Sequence, residues 1–195
     1  MAQPAKSEIR KKILIKRDGI PLPERVRDSA IIRQRLFNHP LWEDLHTVMA
    51  YISFGSEVET HKLVQEALDA GKRIVVPVCD RERKEMRLSE LRSMGDLAPG
   101  AFPGTYEPSP QFQNMVDPSE VELVLVPGAV FDQWGGRIGR GEGYFDRLLP
   151  QMPNAVRIAL AFSLQVLKTR LPLLPHDMRM HQIITENDVI DAKAS

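Results

Sequence analysis

The segment PGAVFDQWGGRIGRGEGYFDRLL places five glycines within nine positions: Gly135, Gly136, Gly139, Gly141 and Gly143. A backbone without Cβ atoms can turn tightly and bring its N–H groups against a ligand. Successive N–H groups in such turns form nests that bind anions. Arg137 and Arg140 add full positive charges with forked donors that match phosphate oxygens. Tyr144 to Leu149 reads as a first helical turn, whose N-terminus would add partial positive charge. Gly135 to Asp146 therefore predicts a phosphate-gripping loop that runs into a helix. No Gly-Lys-Ser/Thr is present, so it is not a Walker A loop, and GRGEG does not fit the dinucleotide fingerprint.

Asp146 would lie one turn into that helix. A carboxylate beside phosphates is unfavourable unless a cation sits between them, and Mg²⁺ is normally held by one or two carboxylates plus phosphate oxygens. Metal ligation and a salt bridge to Arg140 or Arg147 are equal readings of Asp146. Lys6 and Arg10 share one helix face; spacing alone favours a solvated basic face. Glu57 in FGSEVET reads equally as a capping carboxylate for the helix that follows. Asp177, in the proline-bounded PLLPHDM, says little by itself. His61, His176 and His181 show no HExxH-type metal spacing. No Gly-x-Ser-x-Gly elbow supports a serine hydrolase.

The elements that must position these residues follow a regular pattern. Helices are predicted over Ser7–Arg17 and from near Pro23 to His39-Pro40. Buried strands are predicted at Thr47–Ser53, Arg73–Val78, Val121–Val126, Arg157–Phe162 and Ile183–Thr185. A helix over Thr60–Ala70 carries the apolar stripe Leu63, Val64, Ala67 and Leu68. Glu85–Leu91 reads as a short strand or turn, and Met94–Asp117, rich in Gly and Pro, as a long ordered loop. Continuous apolar strands separated by helices indicate an α/β fold with a mainly parallel sheet covered on both faces. Ligands in such sheets sit beyond the carboxyl ends of the strands. That draws attention to Phe54–Thr60, Pro77–Arg83, Pro127–Asp146 and the residues from Ser163 onward.

The chain of 195 residues suits one domain. Its 26 basic and 26 acidic residues balance, which argues against a dedicated nucleic-acid binder. The single cysteine, Cys79, forms no intramolecular disulfide and reads as a core or strand-end residue. No apolar run reaches the roughly 18 residues that span a bilayer. The polar, basic start has no signal-peptide core, so the expected location is cytoplasmic, away from membranes.

Taken together, GGRIGRGEGYFDRLL, KSEIR near the start, SEVET after the first strand, YEP at Tyr106–Pro108 and the late PHDM segment resemble the 5-formyltetrahydrofolate cyclo-ligase (5,10-methenyltetrahydrofolate synthetase) family. The glycine-rich run is similar to the family's G-x-R-L-G-x-G-x-G-Y-Y-D, and the resemblance covers nearly the whole chain. It implies a Rossmann-like three-layer α/β domain similar to the sugar-phosphate isomerase and CoA-transferase group. It also implies one domain over residues 1–195, with residues 1–40 as a helical pair packed on the core. The implied reaction converts 5-formyltetrahydrofolate and ATP, with Mg²⁺, into 5,10-methenyltetrahydrofolate, ADP and phosphate. The γ-phosphoryl group first moves to the formyl oxygen, and N10 then closes the ring.

The resemblance assigns roles that spacing alone does not. Lys6, Arg10, Arg137, Ile138, Gly139, Arg140, Gly141, Glu142, Gly143, Tyr144 and Phe145 match ATP-binding positions. Ile52, Glu57 and Arg140 to Tyr144 match folate positions. Asp146 and Asp177 match Mg²⁺ positions, and Arg137 and Arg140 are expected to act on the transferring phosphoryl. Phe145 replaces a common second tyrosine, and His181 stands where many members carry an aspartate. A monomer or weak homodimer is expected. The rival readings are a CoA-transferase or isomerase on the same fold, which the arginine-rich loop with Asp146 disfavours, and a non-catalytic nucleotide- or folate-binding regulator, which His181 keeps open.

Overall fold

Short apolar runs become the middle of one twisted sheet, and amphipathic helices cover it. The structure is a computed structural model that describes residues 2–192, with side chains from Ala5 onward. Its helices are α1 (Ala2–Asp18), α2 (Leu22–Phe37), α3 (Pro40–Asp44), α4 (His61–Asp69) and α5 (Tyr144–Leu148). Its strands are β1 (Thr47–Met49), β2 (Arg73–Asp80), β3 (Glu85–Leu91), β4 (Leu97–Pro99), β5 (Tyr106–Pro108), β6 (Asn114–Val116), β7 (Leu123–Val126), β8 (Val130–Asp132), β9 (Arg137–Ile138), β10 (Val156–Leu160), β11 (Val166–Leu167), β12 (Gln182–Ile184) and β13 (Val189–Asp191).

The main sheet has eight strands in the order β13-β12-β10-β7-β1-β2-β3-β6. From β12 to β2 all neighbours are parallel, and β13, β3 and β6 add antiparallel edges. Successive strand side chains point to opposite faces. One face therefore packs Val48, Ile74, Leu123, Leu125 and Ile158 with Ile32 and Leu36 of α2 and Leu63 and Val64 of α4. The other packs Met49, Val75, Val124, Val126 and Ala159 with Leu148, Leu149 and Met152. Both faces being covered explains why β7 is buried at every position. The result is the expected three-layer, mainly parallel α/β fold. In α1, Ile13 packs with Ala129, Val130, Ile138 and Leu171.

Several elements differ from the expectation, for local reasons. The predicted strand Thr47–Ser53 pairs only to Met49, apart from a last bond from Ala50 N to Val75 O at 2.8 Å. Beyond that, side chains hold the backbone. Thr60 Oγ1 donates to Tyr51 O at 2.6 Å and accepts from Ser53 N at 2.9 Å. The chain thus leaves the sheet at its carboxyl edge. Glu85–Leu91 is a full strand beside β2. The Met94–Asp117 segment is no plain loop: β4 pairs with β5, and β6 joins the sheet edge. Three-residue strands are too short to show alternation in a sequence. The same holds for β13, which was not anticipated.

The glycine-rich segment divides in two. Its first part is a hairpin of β8 and β9, closed around Asp132. That buried carboxylate accepts from the backbone N–H groups of Trp134, Gly136 and Leu171 at 2.9, 2.8 and 2.8 Å. Gly135 sits at φ +78°, where a Cβ would lie 2.3 Å from the Met180 carbonyl oxygen. Only the second part, from Gly139 to Gly143, forms the open loop before α5.

Candidate active site

The carboxyl ends of β1 and β7 diverge into a cavity of about 620 Å³. Residues far apart in sequence line it: Lys6 and Arg10 from α1, Ile52 and Glu57 after β1, Arg137 to Asp146, and Asp177 near the chain's end. Every residue singled out above for ATP, folate or metal therefore meets the same space. Arg10 reaches the loop directly, donating through Nε to Gly139 O at 2.8 Å. At Gly141 the backbone takes φ +115°, and a Cβ would stand 3.2 Å from Arg10 Nη1. Glycine there admits both the turn and the arginine. The following helix, α5, is only five residues long. Its dipole is accordingly small, and the loop N–H groups and side-chain cations dominate.

Lys6, Arg137 and Arg140 each meet a carboxylate. Arg137 is buried, and its Nη2 donates to Asp146 Oδ1 at 2.7 Å while Nη1 reaches Pro127 O at 3.3 Å. Asp146 thus pairs with Arg137, rather than with Arg140 or Arg147. Arg140 donates through Nε and Nη2 to Glu57 Oε1 at 3.2 and 3.1 Å. Its guanidinium carbon also lies 4.1 Å from the Phe54 ring centroid, within cation–π range. Glu57 Oε2 accepts from Phe54 N at 3.2 Å. Glu57 is therefore not a helix cap: it ties its own turn to the glycine loop.

Lys6 pairs with Asp177, whose Oδ2 also accepts from Leu174 N. Burial alone would raise the Asp177 carboxyl, but the bonds from Lys6 and Leu174 hold it below the usual carboxylate range. His181 is elsewhere. Its Nδ1 accepts from Arg157 N at 3.0 Å at the start of β12, and it is not among the cavity-lining residues.

A further part of the wall comes from residues with no role assigned from sequence. Phe102 meets Tyr144 edge-on, with ring centroids 5.6 Å apart. Tyr106 and Glu107 of the YEP motif also line the cavity. Glu107 accepts from Ala101 N at 3.2 Å and from Cys79 N at 3.3 Å, fixing the Phe102 turn to the end of β2. Burial first, and the Glu107 carboxylate second, push the Cys79 thiol up to about 12. A thiol so held is protonated at neutral pH and is no nucleophile. The YEP motif and the positions after the strands, Phe54–Thr60 and Pro77–Arg83, were the sequence signals for this wall. Phe102, inside the Met94–Asp117 segment, gave none.

Among the described residues, no group of three or more His, Cys, Asp or Glu side chains could hold a metal ion. Asp146 uses Oδ1 for Arg137, and no hydrogen bond among the described residues engages its Oδ2. The donor set therefore fits Mg²⁺ only in combination with ligand phosphate oxygens, the usual arrangement for that ion.

A mainly parallel α/β sheet with a glycine- and arginine-rich cavity at its strand ends places the chain in the class of Rossmann-like α/β proteins. Within that class the chain can be placed further. A sequence model of the 5-formyltetrahydrofolate cyclo-ligase family matches residues 2–186. The chain belongs to that family. It is 29% identical to the 5-formyltetrahydrofolate cyclo-ligase of Mycolicibacterium smegmatis, covering 95% of both chains. It is 25% identical to that of Mus musculus, covering 94% of both. The solved structure of Aquifex aeolicus 5,10-methenyltetrahydrofolate synthetase superposes with a TM-score of 0.85 at 34% identity, covering 97% of this chain and 94% of that one.

Proposed function

We propose that this protein converts 5-formyltetrahydrofolate and ATP, with Mg²⁺, into 5,10-methenyltetrahydrofolate, ADP and phosphate. The observation that carries the proposal is the Arg140–Glu57 contact. It joins the loop suited to phosphates to the turn suited to the pterin, inside one cavity.

The formyl group on N5 is amide-like and a poor electrophile. Its oxygen attacks the γ-phosphorus of ATP, the bond to the β,γ-bridging oxygen breaks, and ADP leaves. N10 then bonds to the formyl carbon and loses its proton. The carbon–oxygen bond breaks, and phosphate departs. Such chemistry needs positioning and charge neutralisation more than a protein nucleophile. Arg137, Arg140 and the N–H groups of Ile138 to Phe145 would hold the transferring phosphoryl, with Lys6 and Arg10 on the ATP phosphates. Glu57 would accept the pterin N–H groups, beside Ile52. Bound Mg²⁺ would neutralise phosphate charge. Asp146 is its principal protein ligand on this reading, with Asp177 the second candidate.

The whole chain would act as one unit, since α1 contributes directly to the cavity. No helix among the described residues is long and apolar enough to cross a membrane. With its balanced charge, the protein would act on dissolved ligands in the cytoplasm, as a monomer or weak homodimer and without nucleic acid. The regulatory alternative drew on His181, which lies off the cavity wall. The test is direct: purified protein is mixed with 5-formyltetrahydrofolate and MgATP, and methenyl product is followed by its near-ultraviolet absorbance. ATP binding without product would overturn the proposal.

A further inference from the structure

Arg17 is 2% exposed and does not line the cavity. It lies on the same face of α1 as Lys6, Arg10 and Ile13, since steps of four, three and four residues follow the helical repeat. Lys6 and Arg10 meet the cavity, whereas Arg17 reaches the turns beside it. Its Nε donates to Ser56 Oγ at 2.9 Å and its Nη1 to Gly128 O at 3.2 Å. Ser56 Oγ in turn donates to Asp18, the last residue of the same helix.

The acceptors sit at telling positions. Ser56 immediately precedes Glu57, at the turn after β1. Gly128 follows Pro127, whose carbonyl accepts from Arg137 at 3.3 Å, at the turn after β7. The strands β1 and β7 are parallel neighbours, and these turns are the two lips of the cavity. One guanidinium therefore bonds to both turns. Burial depresses the Arg17 pKa, Glu57 opposes that loss, and Arg140 adds to it. Burying a cation against a hydroxyl and a carbonyl, with no carboxylate in contact among the described residues, is unfavourable. A Met or Leu would fill the same space without that penalty, so core packing alone does not explain the residue.

We infer that Arg17 is a positioning residue, which fixes the spacing between the Glu57 turn and the Pro127–Gly128 turn and so sets the width of the folate end of the cavity. The inference rests on the proposed function for the identity of the ligand. Arg17→Lys keeps the charge but replaces two separate donor nitrogens, Nε and Nη1, by a single one. Ser56→Ala removes one acceptor and leaves the arginine in place.

Steady-state kinetics on both variants, with calorimetric binding of 5-formyltetrahydrofolate in the absence of ATP, tests it. Arg17→Lys is expected to raise the folate KM about tenfold, the order expected for a lost buried hydrogen bond to a charged group. Ser56→Ala should raise it less. The ATP KM should stay within about twofold, and the double variant should be no worse than Arg17→Lys alone because both cut the same bridge. Calorimetric affinity should fall by the same factor as KM rises. A wild-type folate KM alongside a lowered Tm would reduce Arg17 to a structural residue and overturn the inference. Equal rises in both KM values would overturn it too. Wild-type protein that binds folate without turning it over would sink the proposed activity instead, and the calorimetric comparison would still decide the role of Arg17.

Discussion

Replacing Glu57 by Gln keeps the side-chain shape and removes one charge. In the structure both carboxylate oxygens are used: Oε1 faces Arg140 at 3.1 and 3.2 Å, and Oε2 takes the Phe54 N–H at 3.2 Å. An amide has only one oxygen, so its NH₂ must meet either a guanidinium or a backbone N–H, donor against donor. A hydrogen bond to a charged group contributes about 1.5–3 kcal/mol. Arg140 is 44% exposed, and solvent screening brings its share to about 1 kcal/mol or less. Glu57 is 8% exposed, so the bonds proposed from the pterin N–H groups are made in a sheltered site and should contribute about 2 kcal/mol. That is roughly a 30-fold rise in folate KM. Methenyl formation measured against folate at saturating MgATP, and against ATP at saturating folate, separates the two ligands. The ATP KM should move less than about threefold, since the loss of charge reaches the phosphates only through Arg140. A change confined to the ATP KM would remove Glu57 from the pterin pocket.

Three further outcomes are expected. Asp146→Asn should raise the Mg²⁺ concentration needed for half-maximal activity by about tenfold or more, and an unchanged Mg²⁺ titration would leave Asp146 as a partner of Arg137 only. Gly135→Ala should destabilise the fold by about 2–4 kcal/mol in denaturant unfolding, from a left-handed backbone and a Cβ set against the Met180 carbonyl; a wild-type midpoint would contradict that geometry. Cys79, with its pKa raised from 9.0 to about 12, stays protonated as pH rises to 8. Its disulfide-exchange rate with an aromatic disulfide reagent should be roughly thirtyfold or more below that of the urea-unfolded chain, since the lost thiolate fraction is only partly offset by the greater nucleophilicity of a higher-pKa thiolate, and a rate within about threefold would refute the burial argument.

The fold was legible where burial imposes a pattern. β2, β7 and β10 are apolar runs because helices cover both of their faces, and α4 shows a clean stripe because only one of its faces is covered. What stayed hidden depends on contacts between distant residues. Nothing local marks Met49 as the end of β1: the strand stops because Thr60, eleven residues on, captures the backbone of Tyr51 and Ser53. β6 and β13 are edge strands whose partners, not their composition, make them strands. At the site, the glycine spacing pointed to Gly139–Gly143 but could not separate it from the Gly135–Gly136 hairpin, because both need left-handed or crowded backbone. Lys6 and Arg10 looked like a solvated face because their partners, Asp177 and Gly139, lie more than a hundred residues away. Arg17 carried no signal at all, since a basic residue at a helix C-terminus is common for reasons of the dipole alone.

The pairings in the cavity bear on how its ligands enter. Lys6 with Asp177, Arg137 with Asp146 and Arg140 with Glu57 each join a cation proposed for phosphate to a carboxylate proposed for metal or pterin. A cavity holding only the cations would bury uncompensated charge and weaken the fold. Paired, the same groups are neutral as a set. On the proposed reading, ligand binding exchanges partners: phosphate oxygens take the guanidinium and ammonium groups, and the released carboxylates face Mg²⁺ and the pterin N–H groups. Charge is compensated before and after, so the differential interaction with the transferring phosphoryl, rather than relief of buried charge, sets the catalytic gain. It follows that removing a single member of a pair should impair both stability and turnover. Arg137→Met together with Asp146→Leu, which removes both, should recover much of the stability and none of the turnover. Turnover in that double variant would show that the pair serves the fold alone.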